Sequence, residues 1–145
     1  MSITRNDPGT IYLGGPRTVV NDLAASEAIT PGHLVEKFNN AGVWRVRKHT
    51  LTSAAGSEYA TEQSMLNLDV DDAYAANDLV ERTIGAPGCA IWAWIASGQN
   101  IAFGNALESA GNGTLKVYSS GVKIAQALDT KANVTVATRI RVEVL

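Results

Sequence analysis

The side chains able to do chemistry are few in this 145-residue chain, and they are scattered. Histidine stands only at His33, in ITPGHLVE, and at His49, in VRKHTL. Neither lies in a nucleophile or metal motif. A Ser–His–Asp arrangement is defined by geometry rather than by sequence order, but no G-x-S-x-G turn or comparable signature is present. Cys89 is the single cysteine, so an intrachain disulfide is excluded. Beside Gly88, at the start of the apolar run CAIWAWIA, it reads as a small hydrophobe. Asp69, Asp71 and Asp72 in NLDVDDAY suggest oxygen ligands for calcium. Ala73 and Tyr74 break the pattern that an EF-hand loop needs, and the stretch reads as a solvated loop. There is no P-loop, dinucleotide fingerprint or zinc spacing, so no cofactor and no enzymatic activity are expected.

Three glutamates end one recurring phrase. ITPGHLVE (29–36), YAANDLVE (74–81) and IAFGNALE (101–108) place Gly32, Asn77 and Gly104 in a shared slot. Gly and Asn are the residues that best tolerate positive φ. Each copy therefore reads as a tight turn feeding a strand, with Leu34-Val35, Leu79-Val80 and Ala106-Leu107 as first strand residues. The unequal spacing of the copies rules out a solenoid. Glu36, Glu81 and Glu108 are expected on solvated or salt-bridged strand surfaces, with Arg139 and Arg141 as natural partners.

The elements that would position these groups are mostly strands. VWRVRKHT alternates, with Val43, Arg45 and Arg47 on one face and Trp44, Val46 and Lys48 on the other. AIWAWIA suits a buried strand. Asn112-Gly113 between two strand-like pieces predicts a tight hairpin. VKIAQALD reads as a further strand. VTVATRIRVEVL alternates from Val134 to Val144, one face buried and one wet. DDAYAANDLVER could form a short turn of helix, weakened by Asn77-Asp78. Short strands with frequent turn signals predict an all-β fold, a small β-barrel or sandwich with little helix. Residues 1–25, with their NDPGT and LGGP turns, are expected to form an extended N-terminal arm, and 26–145 the β-barrel/sandwich domain.

Trp92 and Trp94, two apart, share a face. Like Trp44, they are read as core, with an interface anchor or a sugar platform as alternatives. The net charge is −2 with no basic stripe, which argues against nucleic acid. The first residues lack the signal-peptide pattern, and the longest apolar run is too short to cross a bilayer.

Taken together, ITPGHLVE, DDAYAANDLVE, NIAFGNALESAGNGTL and the terminal RIRVEVL resemble tailed-bacteriophage head decoration proteins, also called capsid cement proteins. The resemblance runs from about Ile29 to Leu145. It implies a small β-rich, non-enzymatic protein made in the bacterial host cytoplasm. It further implies docking on the outer surface of the assembled head, where the protein stabilises the shell against the pressure of packed DNA. The implied partners are the phage major capsid protein and copies of the chain itself, as a homotrimer or else a homodimer, with no direct contact to nucleic acid or membrane. The arm would lie on the capsid subunit. Ile11, Tyr12, Leu13, Val19 and Val20 would make its apolar contacts, and Arg5 and Arg17 its polar ones. Deleting residues 1–25 is then expected to leave a folded domain. The competing reading is a carbohydrate-binding β-module displayed on the virion, with Trp92 and Trp94 as its platform.

Overall fold

The computed structural model describes residues 8–63, 66 and 68–145. The protein is all-β. Among the described residues the strands are β1 (Tyr12–Gly14), β2 (Arg17–Val20), β3 (Leu34–Asn40), β4 (Val43–Lys48), β5 (Glu58–Ala60) and β6 (Arg82–Gly85). Then follow β7 (Ala90–Ile95), β8 (Ala106–Ser109), β9 (Leu115–Val117), β10 (Ala125–Ala127) and β11 (Thr138–Val144). One sheet runs β1-β7-β11-β10-β8-β9, and β9 also pairs in parallel with β7 at Leu115–Ile95. That pairing closes β7, β11, β10, β8 and β9 into a five-stranded barrel. The second sheet is open, in the order β2-β6-β5-β3-β4.

The barrel core follows from the sequence pattern. Ile91, Ala93 and Ile95 of β7 meet Ile140, Val142 and Val144 of β11, joined by Leu107, Leu115 and Ala125. Burying each of the Ile, Leu and Val side chains contributes about 1.5–3 kcal/mol. Leu34 and Tyr59 of the second sheet enter the same cluster. Their neighbours Val35 and Ala60 face the other way, into a second cluster with Ala25, Ile29, Val46, Tyr74 and Val80. The period-2 pleat thus lets one sheet serve two cores.

Three local expectations need correction. The last strand begins at Thr138, not Val134, and Val136 is exposed. The preceding residues are engaged elsewhere: Val134 exchanges hydrogen bonds with Gly98 and Gln99, and Lys131 pairs with Ile101. The Asn112-Gly113 hairpin exists as β8–β9, but its connection is longer than two residues. Gly111 and Gly113 carry the positive φ while Asn112 does not, and the Ala110 N–H donates to the Thr114 carbonyl. No helix forms over 71–82. Asp78 accepts from the Ala75 N–H, Asn77 is left-handed, and Tyr74 is bridged to Ile29. Among the described residues no helix is long and apolar enough to cross a membrane.

Residues 8–25 do not stand off from the domain. β1 pairs with β7, β2 pairs with β6, and Ala24 and Ala25 bridge to Leu79 and Val46. The apolar pieces expected to form strands do so, but on this chain's own sheets.

Candidate functional site

The recurring phrase is a turn device. Gly32, Asn77 and Gly104 have φ of 99°, 76° and 88°. At Gly32 a side chain would also collide, because a Cβ there would lie 2.8 Å from the Trp92 carbonyl oxygen. Strands follow directly in the first and third copies. In the second copy Leu79 makes only a bridge, and β6 begins at Arg82.

The three glutamates are held separately. Glu36 accepts from Arg47 Nε at 2.9 Å and from Thr50 Oγ1 at 2.8 Å. Partial burial opposes ionisation, but the hydrogen bonds from Thr50 and Arg47 outweigh it and hold the carboxyl below its ordinary value. Glu81 accepts from Thr61 Oγ1. Glu108 corrects the expectation of a solvated residue: it is fully buried. Its carboxylate accepts from Ser119 Oγ at 2.8 Å, from the Ser119 N–H at 3.2 Å and from the Gly121 N–H at 2.8 Å. Lys116 Nζ lies 3.5 Å away. Burial pushes its pKa up, and the bonds from Ser119 and Gly121 more than reverse that, bringing it down to about 2. Glu108 therefore ties the loop after β9 to the barrel.

Arg139 and Arg141 pair with aspartates rather than with these glutamates. Arg141 Nη1 lies 3.3 Å from Asp129. Arg139 Nη1 lies 2.9 Å from Asp71, its Nη2 donates to the Val70 carbonyl, and its Nε donates to the Pro31 carbonyl. The guanidinium also lies over both Trp92 and Trp94, at 4.8 and 4.5 Å from the ring centroids. Trp92 is buried, and Trp94 Nε1 donates to the Pro31 carbonyl. The two rings are covered by this chain's own Arg139, so they do not form an open sugar platform.

The histidines are part of the framework. His33 stacks on Trp94 and accepts the Thr30 N–H. Burial, then the Lys48 charge, lowers its pKa to about 4, so the ring is neutral at pH 7. His49 is buried with Nδ1 2.9 Å from Ser109 Oγ and Nε2 2.9 Å from the Ala55 carbonyl. Glu36 is 3.9 Å from the same Nε2. These are the residue types of an acyl-transfer triad. Ser109, however, is fully buried and its oxygen accepts the Gly111 N–H. A nucleophile must reach substrate, so this set is a strut between β8 and the 49–55 loop. Cys89 is fully buried, and that burial raises its thiol pKa, in keeping with its reading as a small hydrophobe.

The expected contact residues divide sharply. Ile11 is fully buried in the barrel core, and Tyr12 and Leu13 pack against it. The Ile11 side chain is therefore enclosed by this chain and has no surface to offer a partner, whereas Tyr12 and Leu13 stay half-buried. Tyr12 carries Arg17 over its ring at 3.6 Å. Arg5 lies outside the described residues. Arg17 and Val19 are exposed on β2, Val19 to 44%, while Val20 is half-buried. β2 is the terminal strand of the open sheet, so its outer backbone edge has no strand beside it among the described residues. Next to it lies a hollow of about 230 Å³ lined by Asn21, Gln63, Leu66, Leu79 and Glu81. Gln63 Nε2 donates to the Leu79 carbonyl and shapes its rim. Sequence reasoning missed this hollow, because its walls come from segments far apart in the chain. It also read Trp44 as core, which the structure corrects. The two-residue Ala41-Gly42 turn, with both φ positive, carries the β3–β4 hairpin beyond its core and leaves Trp44 54% exposed.

No family model matches the chain, and no curated protein matches it. Among solved structures, the head fiber gp8.5 N base of bacteriophage phi29 is similar, with a TM-score of 0.58 at 9% identity. The two chains share a fold. The likeness covers 90% of this chain and 93% of that one, so it includes both the barrel and the open sheet.

Proposed function

We propose that this chain is a structural protein of a tailed-bacteriophage head, a decoration or cement protein seated on the outer surface of the assembled shell. The observation that carries this reading is the fold shared, over nearly the whole of both chains, with the base of a phage head fiber. The sequence resemblance to decoration proteins points the same way. The contact is the β2 edge with its hollow. A strand of the major capsid protein adds to Arg17–Val20 through main-chain hydrogen bonds, and one of its apolar side chains fills the space between Leu66 and Leu79. Copies of the chain associate around a local symmetry axis, as a homotrimer in the first instance and a homodimer in the second. Several weak edges on one oligomer then act together through effective concentration.

Binding that favours the expanded shell stabilises it by mass action, about 2.7 kcal/mol per site at a free concentration 100-fold above Kd. No contact with the packaged DNA is needed. The test adds purified full-length chain to heads of its own phage that lack it, followed by sedimentation and electron cryomicroscopy. Density on the outer surface with β2 against a capsid strand supports the reading, and unbound protein overturns it. The phi29 neighbour, itself a fiber base, favours a second reading in which this chain is the base of a projecting fiber. Density extending outward from each docked copy would select it.

A further inference from the structure

The segments that follow β7 and precede β11 are zipped together beyond the barrel strands. The Gly98 N–H donates to the Val134 carbonyl, the Val134 N–H to the Gln99 carbonyl, and Ile101 and Lys131 exchange two bonds. Between them lies a groove of about 490 Å³ whose polar lining is Ser97, Gln99, Asn100, Asn133 and Thr135. None of its lining side chains is charged.

The two amides of the 97–100 segment are oriented by the fold. Gln99 Oε1 accepts the Val117 N–H at 3.0 Å, and Asn100 Oδ1 accepts the Asn133 N–H at 2.7 Å. Each amide therefore spends its oxygen inside the protein. Each NH2 end, able to donate two hydrogen bonds, has no partner among the described residues. The side chains of Ser97, Asn133 and Thr135 are likewise without a partner there. The backbone turns at the groove: Asn133 holds a φ of 55° and Gly98 one of 83°. Both are residue types that take this conformation readily, so the turns shape the groove without strain.

We propose that this groove binds an uncharged, hydroxyl-rich ligand, a mono- or disaccharide unit of a glycan. The lining offers fixed amide donors and hydroxyls that can both donate and accept, which is what sugar hydroxyls pair with. It offers no charge to hold an ion or phosphate, and Val134, its one large apolar side chain, is turned into the protein. The volume falls within the range of small-ligand sites. This site differs from Trp92 and Trp94 and does not depend on how the chain meets a shell.

The test uses ¹⁵N-labelled full-length chain titrated with trisaccharides of glucose, galactose, mannose and N-acetylglucosamine, read at the side-chain NH2 signals of Gln99 and Asn100. Saturable shifts of both signals with at least one sugar are expected. Asn100→Asp and Gln99→Glu keep the oxygens that accept from Asn133 and Val117 and remove the free donors. Each is expected to weaken binding about tenfold, a loss readily resolved in such a titration, with the melting temperature unchanged. Thr135→Val, at an exposed position, removes only a hydroxyl and serves where an acidic variant folds poorly. No saturable shift with any of these sugars, shifts confined to other regions, or variants that bind as well as the parent would each overturn the proposal.

Discussion

Glu108 is the residue whose chemistry the sequence hid most completely. Its place at the end of the third recurring phrase matches that of Glu36 and Glu81, which keep partial contact with solvent, yet it is fully buried. The cause lies outside the phrase: Ser119 and Gly121 fold over it, and a Cβ at Gly121 would lie 2.1 Å from the Ser53 Cβ, so only glycine lets the loop close. Because the folded pKa lies below the unfolded one, Glu108 adds stability that is complete above about pH 4.5 and is lost as pH falls toward about 2. Glu108→Gln should therefore melt well below the parent at pH 7. The gap between the two should close across that acid window in a thermal melt series. His33 acts at higher pH with the same sign. Its folded pKa of about 4 lies below the unfolded value near 6.5, so stability is lost as pH drops between those values. His33→Phe should flatten that part of the curve. Arg139 is a third hidden role. Its alternation partners on β11 announced an outward residue, and it does point away from the barrel core, but onto Trp92 and Trp94. Arg139→Lys keeps the charge and loses the flat stack, an expected cost of about 1–2 kcal/mol. Acrylamide quenching of tryptophan fluorescence should rise in the same variant as the two rings are uncovered.

Among the elements, those with a strict local period were legible and those fixed by distant partners were not. β4, β7 and the outer part of β11 follow from alternation or apolar runs, and the left-handed slots at Gly32, Asn77 and Gly104 follow from residue type alone. The N-terminal pieces were recognisable as strands, but nothing in IYL or TVV says whose sheet they join. Ile11 settles that for β1, since its side chain is enclosed by the barrel. Removal of residues 1–25 should consequently destabilise the whole protein rather than release a folded domain. Ile11→Ala alone should cost about 2–5 kcal/mol by denaturant unfolding. Removal of residues 1–7 leaves both edge strands in place, so an equal loss of stability there would show that β1 is not the element that matters. Val19, exposed on the terminal strand β2, separates folding from docking. Val19→Lys places a charge of the kind that natural edge strands use against pairing. It should leave the melting temperature within a few degrees of the parent and reduce shell occupancy.

At the scale of the molecule, the barrel and the open sheet divide the labour. The barrel has closed its hydrogen-bonding edges except where β1 flanks it, while the second sheet ends in β2, whose outer edge has no strand beside it among the described residues. Strand addition suits such a fold, in which a closed barrel gives a rigid body and a terminal strand offers main-chain groups for pairing. If that edge binds the expanded shell, stabilisation depends on free protein concentration, not merely on its presence. Well above Kd, each tenfold rise in free concentration adds about 1.4 kcal/mol per site. The temperature at which heated heads release DNA to an intercalating dye should then climb steadily with the logarithm of free protein. With Val19→Lys the same climb should appear displaced to higher concentration, because affinity is weakened and the mechanism is not. A release temperature that is unchanged by added protein, or identical curves for parent and variant, would separate this fold from shell stabilisation.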